Sequence, residues 1–201
     1  MELSHLKEII PNYKNITLKK GEILYHEGDK PEYVYFLESG LVGLFHISEN
    51  GSETFLRVFS PNNILGHRSF FAEENYHATS MALCPTKIVA ISKEQCQNTC
   101  SQDPSFLKNI TRILAKDLRE AELRLAGLQD KTAGQRIAES LVYLKLKYPQ
   151  KTWTRKEIAE YSCSTYETVT RLMTKAEKED IIKKIGRDFE ILDIQKLLKL
   201  K

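Results

Sequence analysis

The chain lacks any hydrophobic run long enough to cross a membrane, and Met1 to Lys7 lack the apolar stretch of a signal peptide. It also lacks the P-loop, G-x-S-x-G, H-E-x-x-H and G-x-G-x-x-G motifs that mark common nucleotide-dependent and hydrolytic sites. These absences predict a cytoplasmic protein with no membrane partner and no enzymatic activity.

Cysteine is scarce and is not arranged as a metal site. Only four cysteines occur, at Cys84, Cys96, Cys100 and Cys163, and no two form a C-x-x-C pair. Cys96 and Cys100 are four residues apart, without the second ligand pair that a zinc site needs. We predict reduced, structural thiols, with a redox role for Cys96, Cys100 or Cys163 left open as the alternative.

The net charge is small, but it is unevenly distributed. The 201 residues carry a formal charge of +3, which by itself argues for no partner. Residues 132–201 hold fifteen of the 30 basic residues and ten of the 27 acidic ones, so this part carries +5 and the remainder −2. Positive charge concentrated in one region suits phosphate contacts.

The first half of the chain reads as a β domain. Short runs rich in β-branched and aromatic residues alternate with turn residues such as Gly28-Asp29, Ser39-Gly40 and Asn50-Gly51. Strands are predicted at 34–37, 41–45, 53–58 and 87–91. We therefore assign 1–103 to an antiparallel β-roll, within a chain of α+β class.

A long helix is predicted from Pro104 to about Gln129, with Asp103 as its N-cap. Its apolar residues are spaced by threes and fours, at Leu107, Ile110, Leu114, Leu118, Ala121, Leu125 and Leu128. This spacing favours pairing with the same helix of a second chain, and makes 104–130 a dimerisation helix. The alternative packs the same stripe on the chain's own β domain.

Residues 152–173 read as a helix, a tight turn and a second helix. In the second helix, Val169, Leu172, Met173 and Ala176 form a core-facing seam. The opposite face carries side chains suited to base edges in the major groove, namely Tyr166, Glu167, Thr170, Arg171 and Thr174. Two structural alternatives to base contact stay open. Glu167 and Arg171 could form a salt bridge on the helix surface. Ser164 could cap the helix in a capping box with Glu167, unless Thr165 is the cap, in which case Glu167 is free to face DNA.

Two β-prone runs follow, at 181–185 and 189–192, joined through Gly186-Arg187-Asp188. A hairpin placed after a helix-turn-helix predicts a winged helix over 131–201. Arg187 at the tip of the wing is then a predicted phosphate contact, which positions a protein on DNA without reading sequence.

This order of elements resembles the Crp/Fnr family of bacterial transcription regulators over essentially the whole chain. The resemblance rests on residues 21–29 and 35–42 in the roll, and on Thr154-Arg155-x-Glu157-Ile158-Ala159 and Glu167-Thr168-Val169-Thr170-Arg171. It implies a cyclic-nucleotide-binding-like jelly roll, and a homodimer that binds double-stranded DNA and contacts RNA polymerase.

Within the family, the chain resembles the Fnr branch in its DNA-reading helix. Crp-like members carry a basic residue just before the glutamate, where this chain has Tyr166. Glu167, Thr170 and Arg171 match the Fnr-like reading residues, which implies a palindrome with half-sites close to TTGAT. Arg155, Thr165 and Thr174 complete the predicted DNA-binding set. Cys163 replaces the family's turn glycine, so the turn must accept an unusual backbone angle or follow a different path.

The segment that binds the cyclic phosphate in related domains departs from the family pattern G-E-x-x…R-[ST]. His67 stands at the glutamate position, and His77-Ala78 replace the arginine and serine. The resemblance therefore implies no control by cyclic AMP through the usual pocket. A candidate effector pocket of His67, Arg68, Ser69, His77 and Thr79 is neutral to positive, so it favours an anion.

No cofactor is predicted, because the first 83 residues contain no cysteine for the iron–sulfur cluster of oxygen-sensing relatives. A haem would need an axial ligand, for which His67 and His77 are the candidates. Three means of control stay open: an unidentified small ligand, thiol oxidation, or none. The alternative function is a signalling or scaffold protein in which the roll binds a ligand or partner and the winged helix contacts protein.

Overall fold

Alternating apolar residues in the first half of the chain pair into two antiparallel sheets. The computed structural model describes residues 7–10, 12–49, 51 and 53–200. In chain order the strands are β1 (Lys14–Leu18), β2 (Ile23–Tyr25), β3 (Tyr33–Ser39), β4 (Val42–Ile47), β5 (Glu53–Phe59), β6 (Ile64–Leu65), β7 (Thr79–Ala82) and β8 (Thr86–Ser92). One sheet has the order β1-β8-β3-β6 and the other β2-β7-β4-β5, which confirms the predicted β-roll.

Tyrosines fill much of the space between the sheets. The rings of Tyr25 and Tyr76 stack with centroids 3.7 Å apart, and Tyr35 lies 5.8 Å from Tyr25. Leucine, isoleucine and valine side chains from both sheets surround them. Burial raises the pKa of all three phenols above the usual value of tyrosine. The phenols are therefore neutral packing groups.

Three helices belong to this half of the chain. A short helix, α1 (His67–Ala72), follows β6, and α2 (Lys93–Gln102) follows β8. The long helix α3 (Pro104–Asp130) then runs for 27 residues. The carboxylate of Asp103 accepts a hydrogen bond from the Ser105 N–H at 2.9 Å, as expected of a residue that caps the helix start.

The apolar stripe of α3 divides into two parts. Phe106 and Ile110 are buried in a second core with residues of the roll, and Leu114 packs on its edge. Leu118, Leu125 and Leu128 are exposed. Leu107 in the first turn is also 44% exposed, so the alternative reading, in which the stripe packs on its own roll, holds only for Ile110 and Leu114.

The chain divides within α3 into two compact units, residues 1–120 and 121–201. The second unit contains α4 (Ala133–Lys147), α5 (Arg155–Ser162), α6 (Tyr166–Lys178), the hairpin β9 (Ile182–Ile185) and β10 (Asp188–Ile191), and α7 (Ile194–Lys199). Ile137, Leu141 and Leu144 of α4, Ile158 of α5 and Val169 of α6 are fully buried. A helix-turn-helix with a wing is thus confirmed in the second unit.

Two predictions depend on residues that the structure does not describe. The absence of a signal peptide rests mainly on Met1 to Leu6, and one turn on Asn50; both lie outside the described residues. Among the residues that are described, none of the helices combines the length and apolar character needed to cross a bilayer.

Candidate nucleic-acid interface

The first helix of the helix-turn-helix begins with a capping box. Thr154 accepts a hydrogen bond from the Glu157 N–H at 3.2 Å, and the Glu157 carboxylate accepts one from the Thr154 N–H at 2.8 Å. Glu157 also forms an ion pair at 2.7 Å with Lys151, whose side chain is buried. This glutamate therefore has a structural role at the start of α5.

The turn passes through a left-handed residue. Cys163 ends α5 with φ +50° and ψ +52°. Its successor Ser164 donates a backbone hydrogen bond to the Ala159 carbonyl at 2.9 Å, which closes the helix end. Of the two possibilities that replacement of the glycine left open, the structure shows the unusual backbone angle.

The second helix is capped by Thr165, so the alternative capping box of Ser164 and Glu167 is wrong. The Thr165 hydroxyl oxygen accepts from the Thr168 N–H at 3.2 Å, which makes Thr168 the third helical residue. In the described residues neither Glu167 nor Arg171 has an ion-pair partner, so the predicted salt bridge between them is also absent. Both side chains are exposed.

The two faces of α6 are divided as predicted, except at Thr170. Val169, Leu172, Met173 and Ala176 are buried, whereas Tyr166, Glu167, Arg171 and Thr174 are exposed. Tyr166 keeps 52% of its surface exposed, which is high for a large aromatic residue. The exposed side chains start in the first turn of the helix, where a recognition helix contacts bases.

Two predicted DNA-binding residues are less accessible than the others. The hydroxyl oxygen of Thr170 is buried and has no hydrogen-bond partner in the described part of the chain. A hydrogen bond from this hydroxyl to a base would therefore need a rotation of the side chain. Arg155 is half-buried at the first position of α5, and its Nε is likewise buried.

The wing is a hairpin with a two-residue turn. Ile185 pairs with Asp188, so the turn consists of Gly186, at φ +60°, and Arg187. Asp188 thus belongs to β10 instead of the turn to which the sequence assigned it. Arg187 is exposed at the tip, as a phosphate contact requires.

An ion pair anchors the wing to α4. Lys145 donates to the Asp188 carboxylate at 2.6 Å and lies 5.2 Å from the centre of the Phe189 ring. Burial alone would raise the pKa of Asp188, but the hydrogen bonds from Lys145 and the Phe189 N–H lower it overall. The carboxylate is therefore charged at neutral pH and holds the hairpin in place.

The predicted effector residue His67 contacts the long helix. Its ring is buried, with 4% of the residue surface exposed, and Nε2 lies 3.3 Å from Oδ2 of Asp117. Arg57 on β5 contacts the other oxygen of Asp117 at 2.5 Å. Burial by itself would raise the pKa of Asp117, but the neighbouring His67 and Arg57 side chains lower it overall. The assignment of His67 to a ligand pocket is therefore corrected: it joins α1 to α3.

The other four predicted effector residues differ in their environments. Ser69 donates to the Asn75 carbonyl at 3.1 Å, and Thr79 accepts from the Glu27 N–H at 3.1 Å, so both serve the fold. Arg68 and His77 are exposed. The protein around His77 still desolvates its ring in part, and this and the nearby Arg68 charge lower the pKa of His77. Effector binding at this face stays a prediction, with Arg68 as its remaining charged candidate and His77 as a neutral hydrogen-bonding one.

The thiols of α2 are poor candidates for oxidation. Cys96 is fully buried, and burial raises its pKa to about 12. Burial also raises the pKa of Cys100. Because the thiolate is the reactive form, these shifts favour the predicted structural role of both residues.

Comparison with known proteins agrees with this architecture. Residues 15–103 match the cyclic nucleotide-binding domain family, and residues 135–200 match the Crp-like helix-turn-helix domain family. The chain is 28% identical to the transcriptional activator protein Anr of Pseudomonas protegens over 201 residues, covering 96% of this chain and 81% of that protein. It belongs to the Crp/Fnr family.

Other members of the Crp/Fnr family resemble it over most of its length. The transcriptional activator protein FnrA of Stutzerimonas stutzeri is 28% identical over 185 residues, which cover 88% of this chain and 75% of that protein. The structure of FixK2 from Bradyrhizobium japonicum superposes with a TM-score of 0.82 at 22% identity, covering 94% of this chain and 97% of that one. This Crp/Fnr protein is thus a transcription regulator with a helix-turn-helix DNA-binding domain, and not an enzyme.

Two arginines near the helix-turn-helix were not predicted from the sequence. Arg124 at the end of α3 and Arg136 in α4 both bind backbone carbonyls at the end of α5. Their partners are backbone atoms distant in sequence, so no local motif marks them. The helix that carries Arg136 had a readable signal, the capping box of Thr132 with Gln135.

Proposed function

We propose that the protein is a homodimeric regulator that reads a palindromic DNA site with half-sites close to TTGAT. The observation that carries this proposal is the exposed face of α6, on which Glu167 and Arg171 are both accessible and neither is held by an ion pair within the described chain. Side chains that the fold does not use are available to bases.

The chemistry of these two residues suits the single G·C pair of a TTGAT half-site. The Arg171 guanidinium can donate two parallel hydrogen bonds to guanine O6 and N7, and the Glu167 carboxylate accepts from N4 of the paired cytosine. Tyr166 adds no positive charge at the position that precedes Glu167. Arg187 at the wing tip then supplies a phosphate contact that is independent of sequence.

Dimerisation would place two such helices on one duplex. Leu118, Leu125 and Leu128 lie on one side of α3 and are 61%, 59% and 39% exposed. A second copy of the helix would cover these leucines in an isologous interface. The two recognition helices would then suit half-sites about 34 Å apart, one turn of DNA.

Control by cyclic AMP through the usual pocket does not fit these residues. The ribose acceptor of related domains is replaced by His67, which is engaged with Asp117. A Cβ added at Gly66, at the start of α1, would lie 3.3 Å from the Tyr76 ring, so the buried tyrosines pack closely against the backbone of this segment. We propose instead an anionic effector at Arg68 and His77, or constitutive binding.

The remaining assignments follow from a role on DNA. A transcription regulator of this kind acts in the bacterial cytoplasm, where the chromosome lies, and contacts RNA polymerase. Neither a haem nor another cofactor is part of the proposal, since His67, one of two candidate haem ligands, contacts Asp117 in the protein interior.

Titration of purified full-length protein into labelled duplexes tests this function. We expect a preference for a TTGAT palindrome over a scrambled duplex of the same composition, with affinity that falls as salt rises. Equal affinity for both duplexes would overturn the proposed reading face. A protein that bound neither duplex at low salt would favour the scaffold alternative.

A further inference from the structure

Two arginines bind three consecutive backbone carbonyls at the end of α5. Arg124 donates from Nη2 to the Tyr161 carbonyl at 2.7 Å. Arg136 donates from Nε to the Ser162 carbonyl and from Nη2 to the Cys163 carbonyl, both at 3.1 Å. These carbonyls lie at the negative end of the helix dipole, where a cation is favourable.

Arg136 joins this turn to another part of the same unit. Its third nitrogen, Nη1, donates to the Lys131 carbonyl at 2.8 Å, at the junction between α3 and α4. One planar guanidinium therefore spans two backbone segments with three hydrogen bonds. A lysine has the same charge but a single nitrogen, and does not reproduce this geometry.

Arg124 is held in position by aromatic rings. Its guanidinium carbon lies 4.6 Å from the centre of the Tyr161 ring. Tyr161 in turn stacks on Tyr143 of α4, with centroids 5.8 Å apart and an angle of 10° between the rings. The arginine thus contacts both the ring and the carbonyl of Tyr161.

The turn needs this support because of Cys163. A residue with a Cβ is strained at φ +50°, a conformation that glycine adopts freely. The N–H groups of the turn bond back to α5, while the arginines bind its carbonyls. Thr165, two residues later, is the N-cap of α6, so the peptide planes held by Arg136 determine where the recognition helix starts.

We propose that Arg136, assisted by Arg124, is a positioning residue for DNA recognition. It holds the turn in the left-handed geometry that Cys163 disfavours and so fixes the direction of α6, without touching DNA itself. This inference rests on the proposed reading of a TTGAT palindrome by α6.

A double-mutant cycle between Arg136 and Cys163 tests it in the full-length protein. R136K keeps the positive charge but removes the guanidinium with its three hydrogen-bond donors. C163G removes the backbone strain of a left-handed residue at position 163. The readout is the ratio of affinities for the TTGAT palindrome and a scrambled duplex, measured over a salt series. R112Q serves as a control, because Arg112 donates to Asn109 on an exposed part of α3 and does not contact the turn.

We expect R136K to reduce the affinity ratio about tenfold with an unchanged salt slope, and C163G to restore most of that loss in the double variant. An unchanged ratio in R136K, or a double variant no better than R136K, would overturn the positioning role. If R136K alone does not fold, the double variant R136K/C163G is expected to fold and to prefer the palindrome. A double variant that does not fold, or that shows no preference, also overturns the inference. Lack of preference in the unaltered protein would instead refute the proposed function.

Discussion

The exposed leucines of α3 give a quantitative prediction about dimerisation. Full burial of a leucine side chain is worth about 1.5–3 kcal/mol, and Leu125 has 59% of its surface left to cover. In a two-fold interface each substitution removes two side chains. We therefore expect L125A to weaken the dimer by about 2–4 kcal/mol, or about 30-fold to several hundredfold in Kd.

Leu123 provides a matched control for this measurement. It lies on the same helix and is 58% exposed, but at 3.6 residues per turn it faces about 160° away from Leu125. Sedimentation equilibrium of the two alanine variants should show a weakened dimer for L125A and an unchanged one for L123A. Equal effects of both, or no effect of L125A, would refute pairing through this seam.

Three further outcomes follow from the structure. R187A should weaken binding to all duplexes alike and lower the slope of log affinity against log salt by about 2, because the dimer loses two phosphate contacts, whereas loss confined to the palindrome would refute a phosphate contact. D117N should lower the stability of the roll by about 1–3 kcal/mol at pH 7, measured by urea unfolding. Because the pKa of Asp117 is lowered by folding, this advantage of the unaltered protein should shrink as the pH falls below about 4, and a constant difference would contradict the role of the charged carboxylate. Cyclic AMP should leave the Tm of the protein unchanged. If the protein did bind cyclic AMP, a concentration of 100 times Kd would stabilise it by about 2.7 kcal/mol, and the resulting rise in Tm would contradict the prediction.

The architecture could be predicted where the apolar pattern is strong. The runs at 34–37, 41–45, 53–58 and 87–91 became β3, β4, β5 and β8 with small shifts at their ends. The seam of α6 was predicted residue by residue, because a two-faced helix of thirteen residues has an unambiguous period. The start of α3 was marked by Asp103 and Pro104.

Elements without such patterns were missed. β1 was not predicted, since Lys14 to Leu18 have little apolar alternation and are ordered by pairing with β8. The helix α1 is six residues long, too short for a periodic signal, and it places His67 against Asp117 of α3. That contact joins residues fifty apart, which explains why sequence reasoning put His67 in a ligand pocket instead.

The recognition site was predicted in outline and corrected in detail. The exposed positions of Tyr166, Glu167 and Arg171 follow from helical periodicity alone. The buried hydroxyl of Thr170 and the support of the turn by Arg136 depend on packing between elements. Local sequence gives no information on either.

The most direct test of sequence reading combines one protein variant with one change in DNA. In the unaltered protein, exchanging the G·C pair of both TTGAT half-sites for A·T should cost about 1–3 kcal/mol per half-site in binding free energy. In R171A the same exchange should cost clearly less, because the side chain that reads the guanine is gone and only the Glu167 contact to the paired cytosine is left to lose. An equal loss in both proteins, measured by competition binding at fixed salt, would contradict recognition of this base pair by Arg171.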